Sequence, residues 1–153
     1  MAAGEYTIRA EQGASFLLFL EYQSDGGTGI ALDAYKAAMQ VRRSVDDPDM
    51  VFHVTGSTVD QSSGNVHTGS LTGGGLTGEF SAGSGVAGTG QIKLNVSSAG
   101  ATGTTGGILV TIDGDTMAKA PYGDHFYDLE ISSGVTVNKI LRGRFEITPE
   151  VTR

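Results

Sequence analysis

The sequence predicts an all-β fold: a single antiparallel β-sandwich of immunoglobulin-like or jelly-roll-like kind, carrying a long glycine-rich excursion. Three observations predict it. Apolar residues alternate with polar ones through segment after segment. Turn signals built from Gly, Asp, Asn and Pro separate these segments at the short intervals typical of sandwiches and small barrels. No stretch gives a firm helix. The pattern yields about nine or ten short strands, within one domain spanning residues 1–153.

The tail is the most strongly patterned part. Tyr127, Leu129 and Ile131 alternate with Asp128, Glu130 and Ser132, and after Ser133 and Gly134 the alternation resumes at Val135 and Val137. This predicts a hairpin with a glycine-containing turn. A slip over residues 138–141 places Ile140 and Leu141 in succession, as a bulge or a strand end that re-aims the chain at Gly143. A third strand over residues 144–148 then ends at Pro149.

Upstream, residues 5–11 alternate Tyr6, Ile8 and Ala10 against Thr7, Arg9 and Glu11, a half-buried strand. Residues 15–22, SFLLFLEY, are the most apolar stretch. Their density predicts a central strand covered on both faces, or one covered by a neighbouring subunit. Residues 32–41 contain good helix formers, with Asp33 in reach as a cap. The alternation of Tyr35, Ala37, Met39 and Val41 is nevertheless that of a strand, and we read one. Asp46, Asp47, Pro48 and Asp49 form a turn by composition, and residues 50–55 and 108–112 are further strands.

Residues 69–107 hold more than half of the 24 glycines, with no proline and no strict triplet period. They are read as an insertion carrying one or two strands, at 76–81 and 91–96, that becomes ordered on a partner. A C-terminal arm over residues 148–153 is expected to add a strand to an adjacent subunit. Deleting residues 73–90 should then leave a folded monomer that assembles poorly.

Composition excludes several functions. A net charge of −7 and the lack of basic clusters beyond Arg42 with Arg43, and Arg142 with Arg144, argue against nucleic-acid binding. With no cysteine there is no disulfide, thiolate metal site or cysteine nucleophile. No apolar run approaches the ~20 residues of a membrane span, and the start lacks the features of a signal peptide, so a chain made in a cytoplasm is expected. Tryptophan is absent and aromatic residues are 7% of the chain, which leaves little for a sugar-stacking platform. Tyr22, Tyr35 and Tyr122 are the residues that could serve one.

No motif assigns a catalytic, cofactor-binding or metal-ligating residue. Two G-x-G-x-x-G matches, starting at Gly73 and Gly83, lack the strand before and helix after that phosphate binding needs, and are expected by chance in such a tract. Asp46, Asp47 and Asp49, or Asp113 with Asp115, could offer oxygen to a calcium ion; neither has EF-hand spacing, and both read as solvated turns. Asn95, Val96 and Ser97 form a formal glycosylation triplet. His53, His67 and His125 stand apart, with no paired spacing. Asp128 and Glu130 share a face and could be imagined as an acid–base pair. Their expected company is solvent or Arg42, Arg142 or Arg144.

Three blocks carry a resemblance: EQGASF at 11–16; residues 32–42, with Leu32, Tyr35 and the run Met39, Gln40, Val41 and Arg42; and YDLEI at 127–131 with LRGRFEITPEVTR at 141–153. In that order they resemble motifs of small virion proteins of tailed bacteriophages. The match covers both ends and not the glycine-rich middle. The resemblance implies a β-sandwich component of the tail, baseplate or neck. Its partners would be other phage structural proteins and further copies of itself, and it would need no cofactor and no enzyme activity. The alternatives are a carbohydrate- or receptor-binding sandwich module, and a neck or capsid-associated protein.

Overall fold

The structure is a computed structural model and describes residues 3–33, 35–46, 50–58, 67–72, 90–99 and 105–151. Among these residues, ten strands and one short helix form two sheets. The strands are β1 (Gly4–Glu5), β2 (Ile8–Glu11), β3 (Phe16–Glu21), β4 (Lys36–Arg42), β5 (Met50–Thr58), β6 (His67–Thr72), β7 (Gly90–Leu94), β8 (Gly107–Ile112), β9 (Gly123–Ser133) and β10 (Thr136–Thr148). The larger sheet runs β1, β10, β9, β4, β5, β6, with β2 also on β10; the smaller runs β3, β8, β7. Pairing is antiparallel except that β1 and β2 lie parallel to β10.

This is the strand order of a variable-type immunoglobulin sandwich, in which two extra strands widen the sheet that holds the last strand. The opening strand is split in two and sits on β10 instead of on the smaller sheet. The inter-sheet disulfide and buried tryptophan of antibody domains are absent, since the chain has neither residue. Aromatic packing takes their place at the centre. Phe145 of the larger sheet meets Phe16 of the smaller at 5.3 Å between ring centroids, and Phe52 and Tyr127 at 6.5 and 6.2 Å in edge-on contacts. Leu32, Met39, Val41, Ile92, Leu94, Ile108, Val110, Leu129 and Ile131 are fully buried around them.

Several elements differ from the sequence expectation. The apolar segment at 15–22 gives β3, which is an edge strand and not a central one: Leu17 is 57% exposed. The central position belongs to β8, buried at five of its six residues. Residues 5–11 form two strands, interrupted at Tyr6 and Thr7; Tyr6 faces out while Ile8 and Ala10 point in. Asp113, Gly114 and Asp115, expected as a turn, cap and open helix α1 (Gly114–Lys119). Asp113 caps it, its carboxylate accepting from the Asp115 amide at 2.9 Å, and Met117 and Ala120 drop into the core.

The expected third strand over residues 144–148 is the second half of β10, which runs unbroken through a bulge between Lys139 and Leu141. The turn before it has two residues, Gly134 at φ +60° and Val135, the geometry that closes a twisted hairpin. Val135 and Val137 are exposed there. Residues 36–42 are a strand with alternating burial, as the tyrosine-to-valine alternation required. Within the glycine-rich tract, β6 and β7 are described; the expected strand at 76–81 and both G-x-G-x-x-G matches lie outside the described residues. Thr148 and Glu150 are held by β2 and the residue that follows it: Thr148 Oγ1 donates to the Ala10 carbonyl at 3.3 Å, and the Glu150 amide donates to Gln12 Oε1 at 3.1 Å. Thr152 and Arg153 lie outside the described residues.

Candidate functional site

The strand registers arrange the outward side chains of the larger sheet in rows. One row runs Lys139, Glu130, Ala38 and Thr55; the next Arg142, Asp128, Gln40 and His53; the third Arg144, Phe126 and Arg42. The bulge makes this possible. Lys139 and Arg142 are three residues apart and would face opposite ways in a regular strand, yet the extra residue Ile140 brings both to the outer face.

The rows are charge-paired. Lys139 Nζ donates to Asp128 at 2.8 Å and to Glu130 at 3.2 Å, and its pKa lies above the usual lysine value, chiefly through the bond to Asp128. Arg144 meets Asp124 at 2.9 Å and Arg142 meets Glu5 at 3.4 Å. Arg42 donates to Gln40 at 2.8 Å. Asp128 and Glu130 do come together on one face, as their spacing required, but they share the Lys139 ammonium. The expected arginine partners lie elsewhere: Arg142 is on Glu5 and Arg144 on Asp124. Such exposed pairs fix register and orientation and add little stability.

Beside these rows lies a groove of ≈ 750 Å³, lined by Glu5, Tyr6, Phe126, Asp128, Arg142 and Arg144 among others. Tyr6, Val45 and Phe126 expose apolar surface into it, at 54, 77 and 40%. Its floor is set by Gly143. At φ +156° and against the Tyr6 carbonyl, this position has no room for a Cβ, so the backbone at Tyr6 can close on β10. The Tyr6 amide donates to the Arg142 carbonyl at 2.9 Å, and Tyr127 Oη donates to the Tyr6 carbonyl at 2.7 Å. Burial pushes the Tyr127 phenol well above its usual pKa, so it remains a donor.

The sequence candidates are dispersed. His125 is buried with Nδ1 3.3 Å from the Phe145 carbonyl, and burial holds its pKa below the usual histidine value. His53 is on β5 and His67 opens β6. Asp113 and Asp115 are explained by the α1 cap, and Asp47 and Asp49 lie outside the described residues. Asn95 is fully buried. Tyr22 and Tyr35 pack against the core, which leaves Tyr122 as the exposed member of the three candidate sugar-stacking tyrosines. Among the described residues, no group of three His, Asp or Glu side chains could hold a metal ion, and no helix is long and apolar enough to cross a membrane. The groove residues Tyr6, Val45 and Phe126 were not singled out from sequence, because an exposed aromatic in an alternating strand looks the same as an inward one until register is known.

Neither a protein-family model nor a curated protein matches this sequence. Among solved structures, one from a study of multimeric cell-adhesive interactions of VGSC beta subunits is similar over 97% of this chain and 96% of its own, at 12% identity and a TM-score of 0.48. The fold is defined by the strand order: a two-layer, all-β sandwich.

Proposed function

We propose that this chain is a non-enzymatic structural protein of a tailed-bacteriophage virion, present in multiple copies in the tail or baseplate, where it connects larger parts or anchors tail fibres. The observation that carries this reading is where the three resembling blocks meet. Gln12 of the first block donates through Nε2 to the Ala120 carbonyl at 2.7 Å and accepts through Oε1 from the amide of Glu150 in the last. The Gln12 amide donates to the Thr148 carbonyl at 3.0 Å. Met39, Gln40 and Val41 of the middle block pair with Leu129, Asp128 and Tyr127. The blocks thus describe one half of one sheet and the clasp that joins the chain ends, a coherent unit for a shared scaffold.

The outer face supports a docking role: its charges are paired in rows and its apolar surface is gathered in a shallow groove. That groove, with Tyr6 and Phe126 exposed, also favours a second reading, a receptor- or carbohydrate-binding sandwich module, which reproducible hits on a glycan array would promote.

The test is quantitative mass spectrometry of purified phage particles and detached tails. Stoichiometric recovery with the tail or baseplate supports the structural reading. Absence from particles, with abundance in infected cells, removes it.

A further inference from the structure

Sheet edges are normally protected by a lysine, a proline, a bulge or a covering segment, because unpaired backbone groups recruit other strands. Strand β3, Phe16–Glu21, has no such residue between Phe16 and Leu20 and pairs only with β8 among the described residues. Leu17 is 57% exposed, Phe19 is half-buried on the same outward face, and Leu18 and Leu20 are half-buried on the inner one. The larger sheet differs: its outer face is laced with ion pairs.

We propose that β3 is a self-association edge, which a second copy of this chain extends antiparallel about a twofold axis through Leu18, giving a continuous six-stranded sheet. The occupant follows from the residues. In an antiparallel pair related by a twofold axis perpendicular to the sheet, opposed residues must share a face, so their numbers sum to an even value. Centring on Leu18 sets Leu18 against its twin, Leu17 against Phe19 and Phe16 against Leu20. Every central pair is then apolar, and each aromatic ring meets a leucine. Glu21 faces Ser15, so no like charges oppose. Centring on Phe19 instead buries Glu21 against Leu17, and centring on Leu17 puts Ser15 against Phe19.

The chain's net charge of −7 opposes approach, while the axis itself is uncharged, so association strengthens as salt screens the repulsion. The pairing does not depend on the virion reading.

The experiment is analytical ultracentrifugation of the full chain over a concentration series, at low and moderate salt. Wild type is expected to dimerise, more tightly at the higher salt. Leu17→Lys and Phe19→Glu, each checked for unchanged far-UV circular dichroism, should each weaken dimerisation about tenfold, because each replaces both symmetry-related Leu–Phe pairs by a charge set against an apolar side chain. An equimolar mixture of the two should recover a 1:1 heterodimer, because the introduced lysine and glutamate oppose each other. The chain has no cysteine, so Leu18→Cys should form a disulfide-linked dimer on mild oxidation even if Phe19→Glu fails to fold. Monomeric wild type at every concentration, a Leu17→Lys dimer as tight as wild type, or no cross-link from Leu18→Cys overturns the proposal.

Discussion

Asn95 shows how much one polar side chain can organise inside an apolar sandwich. It sits at φ 58°, a left-handed conformation that asparagine tolerates better than most residues. Its Oδ1 accepts from the Leu32 amide at 3.0 Å and the Gly106 amide at 3.1 Å, while Nδ2 donates to Asp33 at 3.3 Å. Its own amide donates to the Gly107 carbonyl at 2.7 Å. One residue thereby ties the exit of β7 to the approaches of β4 and β8. Asn95→Ala strands two buried amides and strains the backbone, so urea denaturation should show a loss of about 2–4 kcal/mol. Asn95→Asp keeps the acceptor but replaces the donor to Asp33 with a second, buried carboxylate, so it too should destabilise, and less so at acid pH, where the carboxyl is protonated. A change in Asn95→Ala below about 0.5 kcal/mol, the range of a neutral surface substitution, would show that the loops hold without it. The glycosylation triplet at this position is accounted for by burial: its asparagine is inside.

At the scale of elements, β10 does most to shape the outer face, through its bulge and through Gly143. Replacing Gly143 with alanine forces a Cβ onto the Tyr6 carbonyl at a φ that L-residues rarely adopt. The expected cost is about 1–3 kcal/mol, concentrated at the N-terminal strands. Hydrogen exchange at the Tyr6 amide, which donates to Arg142, should speed up well before exchange in β4 or β9. Uniform acceleration across the sheet would contradict a local role. The alternation of Tyr127, Leu129 and Ile131, and of Ala37, Met39 and Val41, made β9 and β4 legible in the sequence, and the doubled Ile140 and Leu141 marked the bulge. Helix α1 was not legible: six residues cannot display a helical period, and Asp113, Gly114 and Asp115 read as a turn. Nor was the edge position of β3, since apolar density reports burial of some kind without saying whether a sheet or a partner supplies it. The groove needed register, which depends on the pairing of strands far apart in sequence, as in Glu5 with Arg142, 137 residues on.

For the molecule as a whole, the question is what joins two sheets that share no disulfide. The chain ends meet within the larger sheet, where Ile8 pairs with Phe145 and Ala10 with Ile147. Between the sheets, close approach of β5 to β7 is permitted by Gly56, which lies against the Ile92 carbonyl. At the centre, Phe145 is fully buried and touches Phe16 across the interface as well as Phe52 and Tyr127 in its own sheet. It therefore couples both layers and both chain ends. Phe145→Ala removes those contacts and leaves a cavity, at an expected cost of about 3–5 kcal/mol, a large part of the stability of a domain this size. Because the two layers share this contact, unfolding followed by tyrosine fluorescence and by far-UV circular dichroism should coincide, in wild type and variant alike, with a lower midpoint in the variant. Reductant should shift neither curve, since there is no cysteine to reduce. Separate transitions for the two probes would mean that the sheets are held by contacts other than this aromatic centre, with each layer able to melt alone.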